Sequence, residues 1–377
     1  MSIADFDSGG RIIMHIINVD HVTVNHAGRV IFEDLTWAIG DRDRIGLVGP
    51  NGAGKSSLLK AIIGEVVPDT GSIVMLRGTT VGYLPQLVEL PPGGTLLQAA
   101  SVPPPELGAV EARLATFETQ LADPLVYGDE RKLARVLENQ ERALRDYDRL
   151  DGPRHASRVR ELLAHLGFSE ADYDLPTVAL SGGQKKLVLL TRLAAASPSV
   201  LLLDEPDNHL DLDAKRRLEG VITNYPGAVV IVSHDRYLLD EVVTHIAELE
   251  DGRLTSYVGH YSAYAAEREL RRMRQQQMYA VQQRRIQQIE EAIHEWEQKA
   301  KADLSERHAR QAHSRRRMLE RMEENGEMVE RVVERRPMEA QFDGWRGSTK
   351  ALEIIDLAMG FDDELLFLDL GFLLRHG

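Results

Sequence analysis

The sequence predicts an α/β protein built around a parallel sheet, on three observations. The runs "RIGLVG" (44–49), "SVLLLDE" (199–205) and "AVVIVSH" (228–234) are apolar throughout and give way to polar or glycine-rich text at their ends. Such strands are buried on both faces, as a sheet covered by helices on each side requires. The first run leads into a glycine-rich turn that opens an apolar helix, "SLLKAII". Longer mixed segments separate the runs from about Ile12 to Ser262, the alternation of an α/β domain.

Composition bounds the rest. The chain has 377 residues, enough for two domains and connecting structure, and 43% of them are hydrophobic and 28% charged, as in globular proteins. It has no cysteine, which excludes disulfides, thiolate metal sites and cysteine nucleophiles and fits a reducing cytoplasm. No apolar run is long enough to span a bilayer. The opening "MSIADFDSGGRIIM" lacks the basic-then-apolar pattern of a secretory signal. A formal charge of −14 argues against nucleic acid as a partner of the chain as a whole, but the charge is unevenly spread.

Taken in order, residues 1–11 read as an N-terminal extension and 12–262 as one α/β domain. Within it, the charged periodic text from Glu106 to Gly167, such as "RKLARVLENQERALRDYDRL", predicts a helical subdomain at about 100–200. From 263 to 336 Pro and Gly nearly vanish. Ile286, Ile289, Ile293, Trp296 and Ala300 are spaced as a coiled-coil seam, and Ala312, Leu319 and Met322 continue the stripe beyond a break near Asp303–Ser305. This pattern predicts two antiparallel helices with a tip around Lys299 to Arg307. Between Glu267 and Arg321 there are fourteen Arg or Lys against nine Asp or Glu, a reversal of the overall sign.

After a loop, "RPMEAQFDGWRGSTK", the final segment (337–377) resumes strand-like text, "ALEIIDLAMGFDDELLFLDLGFLL". At an offset of about 335 residues, Phe367, Asp369 and Leu370 fall on Phe32, Asp34 and Leu35, and Phe361 falls on His26. The order of these matches predicts an internal repeat, begun twice and finished once.

The chemistry-bearing residues sit where strands end. "GPNGAGKS" (Gly49, Pro50, Asn51, Gly52, Ala53, Gly54, Lys55, Ser56), followed by Ser57, satisfies the phosphate-binding pattern G-x-x-x-x-G-K-[ST] between a strand and a helix. Gly52 and Gly54 let successive backbone N–H groups turn toward phosphate oxygens. Lys55 offers a point charge to the β- and γ-phosphates, and Ser56 a hydroxyl to Mg²⁺. "LLLDEP" puts Asp204 and Glu205 at a strand end, where a buried carboxylate pair is costly unless a cation or water network compensates it. Asp204 is expected in the Mg²⁺ shell and Glu205 to polarise the attacking water. His234 ends "VVIVSH", where an imidazole could reach a γ-phosphate, and Gln86 in "GYLPQ" is a candidate sensor of that phosphate or of the metal. A second glycine-rich turn, "LSGGQ" with Ser181, Gly182, Gly183 and Gln184, opens another helix and forms a second candidate anion site.

In this order and spacing the motifs resemble an ATP-binding cassette over residues 12–262. "DEPDNHLDL" (204–212), "SHDRYLLD" (233–240) and "YVGHYSAYAAERE" (257–269) before a charged helical linker are similar to the ABC-F class. The resemblance implies ATP and Mg²⁺ as ligands, ATP hydrolysis, and two cassettes in one chain without membrane domains. It also implies action on the ribosome in the cytoplasm, the linker reaching toward rRNA and P-site tRNA. Lys299, Lys301, Arg307, Arg310, Arg315, Arg316 and Arg317 are then the RNA-contact candidates. His26 stands where an aromatic residue stacks on adenine. His26 is thus one departure from the family pattern; in addition Asp207 replaces the Thr of DEPTNHLD, and "QKKL" replaces Q-[KR]-x-R.

Family cassettes hydrolyse ATP between two domains, the phosphate loop of one facing the LSGGQ of the other. The chain is therefore expected to hold one finished cassette and the first strands of a second. Such a chain should bind Mg·ATP and turn it over slowly unless two copies pair head to tail. A transporter ATPase subunit shares the cassette motifs but needs no basic helical hairpin between cassettes. A chromosome or DNA-repair ATPase separates the phosphate loop from LSGGQ by far more sequence.

Overall fold

A computed structural model describes residues 4–6, 12–26, 28–303, 306–324, 350–361 and 364–375. They fall into two compact units, Met1–Arg271 and Arg272–Gly377.

The first unit begins with β1 (Ala4–Phe6), β2 (Ile12–His26), β3 (Arg29–Gly40), β4 (Arg44–Val48), α1 (Lys55–Ile62), β5 (Thr70–Met75) and β6 (Val81–Leu84). A run of helices follows: α2 (Leu96–Ala100), α3 (Pro105–Leu121), α4 (Pro124–Tyr127), α5 (Glu130–Arg149), α6 (Gly152–His165) and α7 (Gly182–Ala195). The chain then alternates β7 (Val200–Asp204), α8 (Leu212–Thr223), β8 (Ala228–Val232), α9 (Arg236–Val242), β9 (His245–Glu250) and β10 (Arg253–Val258). The strands assort into a six-stranded sheet of order β10-β9-β4-β8-β7-β6, parallel except at β10, and an antiparallel sheet β1-β2-β3 with β5 on β2.

Side chains of the parallel strands alternate between two cores, as a pleat dictates. Leu201 and Leu203 of β7 join α6, α7, α8 and α9 on one face. Val200 and Leu202 join α1 and the antiparallel sheet on the other. All five residues of β7 and of β8 are buried, which is why these runs are apolar without alternation. The antiparallel sheet is an addition to the parallel sheet that the sequence predicts. Its strands hide their period because β2 kinks at His21 (φ 50°) and β3 at Asp34 (φ 55°), shifting the register between Val19 and Val22. Helical text from Glu106 to Gly167 becomes α3 to α6, as expected.

Composition places the end of the first domain at residue 262, yet α10 (Tyr261–Asp303) starts inside it and its first turns stay with the first unit. Tyr264 is buried in the helical-face core. Its hydroxyl donates to Glu248 on β9 at 2.7 Å, and Tyr257 donates to the same carboxylate at 3.1 Å. Arg268 Nε pairs with Glu248 at 2.7 Å, and Arg268 Nη2 with Glu250 at 3.0 Å. Polar side chains thus fasten the helix root, which a hydrophobic pattern does not report.

The second unit contains the rest of α10, α11 (Glu306–Glu324), β11 (Lys350–Phe361) and β12 (Glu364–Arg375). Ile293 is buried, Ile286, Ile289 and Trp296 are half-buried, and Ala312 of α11 is buried. Arg316 of α11 meets Glu297 of α10 at 2.7 Å, so the two helices lie against each other. Of the expected tip from Lys299 to Arg307, Lys299, Lys301 and Arg307 are helical and residues 304–305 lie outside the described residues. The side chains of Ala300, Leu319 and Met322, and the loop from Arg336 to Thr349, lie outside the described residues.

β11 and β12 pair antiparallel and repeat β2–β3 pair by pair. Val22↔Leu35 corresponds to Leu357↔Leu370, Val24↔Phe32 to Met359↔Phe367, and Val19↔Trp37 to Ile354↔Phe372. The kinks recur as well: Asp356 (φ 50°) and Asp369 (φ 59°) match His21 and Asp34 at the same 335-residue offset. A few sequence identities therefore mark a repeat of register and of backbone irregularity.

Candidate active site

β4, β8, β7 and β6 are neighbours running in one direction, so their C-terminal ends share an edge of the sheet. Ligand sites in such folds form at that edge, where loops leave the strands. It carries the glycine-rich turn after β4, Gln86 after β6, Asp204 and Glu205 at the end of β7, and His234 after β8.

The turn is tight against the sheet. A Cβ on Gly49 would lie 2.1 Å from the Leu249 carbonyl oxygen, so only glycine fits. Gly52 and Gly54 have φ of 80° and 97°, a region costly for other residues, and Gly54 caps α1. Pro50, Ala53, Ser56 and Ser57 are half-buried, Asn51 is exposed, and Lys55 is buried. Lys55 Nζ donates to the carbonyls of Gly49 (2.9 Å) and Pro50 (3.1 Å), folded back over its own loop. Burial lowers its pKa, against the opposing pull of Glu205 and Asp204.

Asp204 is 1% exposed, and its Oδ1 is buried without a hydrogen-bond partner. Burial raises its pKa, and the Ser56 hydroxyl, donating to the carboxylate, acts the other way. Tyr83 Oη reaches Asp204 Oδ2 at 3.5 Å. An orphaned carboxylate oxygen beside a serine hydroxyl is an all-oxygen donor set, which fits a hard divalent cation such as Mg²⁺. Among the described residues no cluster of three or more His, Cys, Asp or Glu could hold a metal by itself, so such a cation needs ligands from elsewhere, as nucleotide phosphates would supply.

Glu205 is the hub. Its Oε2 accepts from Gln86 Nε2 at 2.7 Å and from Asn208 Nδ2, and its Oε1 lies 3.8 Å from His234 Nε2. The backbone is in the left-handed region (φ 50°) and is fixed from both ends: its N–H donates to the Val232 carbonyl at 2.8 Å, and its carbonyl accepts from Lys186 Nζ at 2.6 Å. β6 pairs with β7 as far as Leu84↔Leu203, and Gln86 and Glu205 each follow two residues beyond that pair. Five expected residues, Lys55, Gln86, Asp204, Glu205 and His234, thus gather at one edge. Asn208 and Lys186 join them without being anticipated. Asn208 lies within the quoted "DEPDNHLDL", but nothing in its spacing reveals a bond to Glu205.

Other expected residues stand apart. Ser181 caps α7, and with Gln184 it forms a reciprocal capping box (3.2 and 2.9 Å) beside Gly182 and Gly183. Among the described residues Ser181 bonds none of the groups at the strand edge. His26 ends β2, with its side chain outside the described residues, as are those of Lys299 and Lys301. Arg307, Arg310, Arg315, Arg316 and Arg317 are exposed on α11; Arg316 is held by Glu297, while Arg307 and Arg310 line a shallow depression with Gln311 and Ser314.

Fold and site together define a P-loop nucleoside-triphosphatase domain. Two family models described as ABC transporter match residues 32–208 and 247–342. The chain belongs to the ATP-binding cassette family. It is similar to the tylosin resistance ATP-binding protein TlrC of Streptomyces fradiae, 34% identical over 70% of this chain and 47% of that protein. It is 33% identical to the energy-dependent translational throttle protein EttA of Mycobacterium tuberculosis, over 96% of this chain and 62% of the relative. With ABC transporter F family member 2 of Arabidopsis thaliana it shares 27% identity over 96% of this chain and 52% of that protein. The chain spans between about half and three-fifths of the length of these relatives. Among the described residues no helix is long and apolar enough to cross a membrane.

Proposed function

We propose that this chain binds Mg·ATP at the turn between β4 and α1, hydrolyses it to ADP and phosphate, and acts on the ribosome in the cytoplasm as an ABC-F protein. The observation carrying the ATPase reading is the convergence of Gln86, Asn208 and His234 on the Glu205 carboxylate, beside the orphaned oxygen of Asp204.

In this reading Lys55 exchanges the carbonyls of Gly49 and Pro50 for the β- and γ-phosphates, and the backbone N–H groups of residues 51–57 surround the phosphate chain. Ser56 and Asp204, with Gln86 nearby, would hold Mg²⁺, which would neutralise charge on the phosphate oxygens. Glu205 orients the attacking water and takes its proton, Gln86 and Asn208 fix the carboxylate, and His234 faces the γ-phosphate. His26 stacks on the base. Ser181, Gly182, Gly183 and Gln184 complete the site of a second cassette, supplied by the same polypeptide or by a second copy.

Ribosome action rests on family membership, on the words "translational throttle" in the name of one relative, and on the basic hairpin of α10 and α11. Lys299, Lys301, Arg307, Arg310, Arg315 and Arg317 contact rRNA or P-site tRNA; Arg316 braces the hairpin. The domain plan follows: a cassette to about residue 262, a linker to 336, and the opening of a second cassette to 377.

Sedimentation of the Glu205→Gln variant tests the nucleotide half. Mg·ATP should drive a stable homodimer, and a strict monomer at saturating nucleotide removes pairing between copies. Ribosome co-sedimentation tests the other half: replacing Arg307, Arg310, Arg315 and Arg317 with Glu should abolish it. Unchanged co-sedimentation leaves the hairpin as a spacer, and stable capture by a membrane permease would favour a transporter subunit.

A further inference from the structure

Lys215 stands in none of the motifs that mark the site. It lies in the first half of α8, with its N–H donating to the Asp211 carbonyl at 3.0 Å. Its Nζ donates to Asp235 Oδ2 at 2.6 Å, an ion pair whose side chains are only 28% and 20% exposed. That bond raises the Lys215 pKa against burial, and it is the main cause lowering that of Asp235. Asp235 uses its other oxygen as well. Oδ1 accepts from the N–H groups of Tyr237 (3.1 Å) and Leu238 (3.3 Å), capping α9. The Asp235 N–H donates to Ser233 Oγ at 2.9 Å. The turn that carries His234 is therefore bonded on both sides of the histidine, and Lys215 ties it to a different element. Around the pair the seam between α8 and α9 is acidic. The Glu219 pKa is raised by burial and then by Glu241 and Asp235, with Arg216 and Lys215 opposing.

We propose that Lys215 is a positioning residue for hydrolysis. By bridging to Asp235 it ties the segment after β7, which carries Glu205, to the turn after β8, which carries His234. It thereby sets where the imidazole stands relative to the Glu205 carboxylate. The inference rests on the ATPase reading above. His234 Nε2 lies 3.8 Å from Glu205 Oε1, outside hydrogen-bond reach, and its side chain is 56% exposed. Little packing holds such a ring, so its place follows the backbone from Ser233 to Asp235. The paired register of β7 on β8 ends at Asp204↔Val232, and the ion pair joins the two segments beyond that point. A pair this near the surface adds little stability, so its readable effect is placement. Displacing a group that faces the reacting phosphate by about 1 Å can cost about a hundredfold in rate.

The test is a double-mutant cycle in the full chain with Lys215→Met, His234→Ala, the double variant and, beside them, Lys215→Arg. Mg·ATP turnover is read together with Mg·ATP affinity. Lys215→Met should lose at least about fivefold in kcat with affinity within about twofold, as for a group acting on the chemical step alone. Lys215→Arg, which keeps the charge, should stay within about twofold of the parent in kcat. In the His234→Ala background Lys215→Met should change kcat by less than about twofold, because no ring is left to place. Unchanged kcat in Lys215→Met, the same loss with and without His234, or no rescue by arginine overturns the proposal. Hydrogen exchange over residues 233–238 gives a reading that does not depend on turnover. It should quicken in Lys215→Met and keep the parent rate in Lys215→Arg, and equal rates in all three proteins overturn the tie. If the parent chain turns over no faster than its Glu205→Gln variant, the ATPase reading fails by itself. The exchange rates alone then decide whether Lys215 holds this turn.

Discussion

Asp204 is held almost fully out of solvent with an unsatisfied carboxylate oxygen, a cost that a bound cation would offset and an empty protein cannot. Replacing it with Asn removes the buried charge, so the nucleotide-free chain should gain about 1 kcal/mol of stability, visible as a higher melting temperature, while Mg²⁺-dependent ATP binding is lost. A lower melting temperature for Asp204→Asn would mean that Ser56 and Tyr83 already compensate the carboxylate. Lys55, Asp204, Glu205, Gln86 and His234 were readable in the sequence because each follows a strand, and strand ends in a parallel sheet are forced to one edge. Asn208, Lys186 and Tyr83 were not. Their part comes from which atom of Glu205 or Asp204 their side chains reach, and no spacing rule encodes that. The Ser181 cap was legible as a helix start, but its reciprocal bonds with Gln184 required the fold.

Among the elements, the root of α10 is the clearest case of polar anchoring. Glu248 takes two phenol hydroxyls and a guanidinium, and it sits opposite Val48 in the register of β9 on β4, directly before the glycine-rich turn. Glu248→Ala should cost about 3 kcal/mol, because it leaves Tyr257 and Tyr264 without their acceptor and Arg268 with Glu250 alone. Hydrogen exchange should then speed up over Tyr261–Arg271. The same joint makes the fold sensitive to alkali. Tyr264 and Tyr257 have phenol pKa values raised by burial and then by Glu248, and Tyr83 and Tyr225 are raised mainly by burial. Unfolded phenols lose protons near pH 10 while these keep theirs, so the contribution is complete below that pH and falls progressively as pH rises from there toward the raised folded pKa values. Urea midpoints should drop between about pH 9 and 11, and more gently in Tyr264→Phe. Helix existence here was legible from the Ile286–Trp296 seam. The helix start at Tyr261 was not, since Tyr264 and Arg268 look like ordinary linker residues until Glu248 is placed beside them.

For the whole molecule, an overall charge of −14 coexists with a basic segment from Glu267 to Arg321. If six of its cations meet phosphates, RNA affinity should fall about a thousandfold between about 50 and 200 mM salt. A flat salt profile would assign ribosome association to another surface. The two β-hairpins, legible in the sequence from three identities, turn out to agree in all eight residue pairs and in both left-handed kinks. That agreement has a cost during folding. The matched registers would let β2 pair with β12 and β11 with β3, so a nascent or refolding chain has two wrong partners of the right register. Refolding yield should therefore improve when Asp369, whose kink completes the mimicry, is replaced by Pro, which cannot adopt a positive φ.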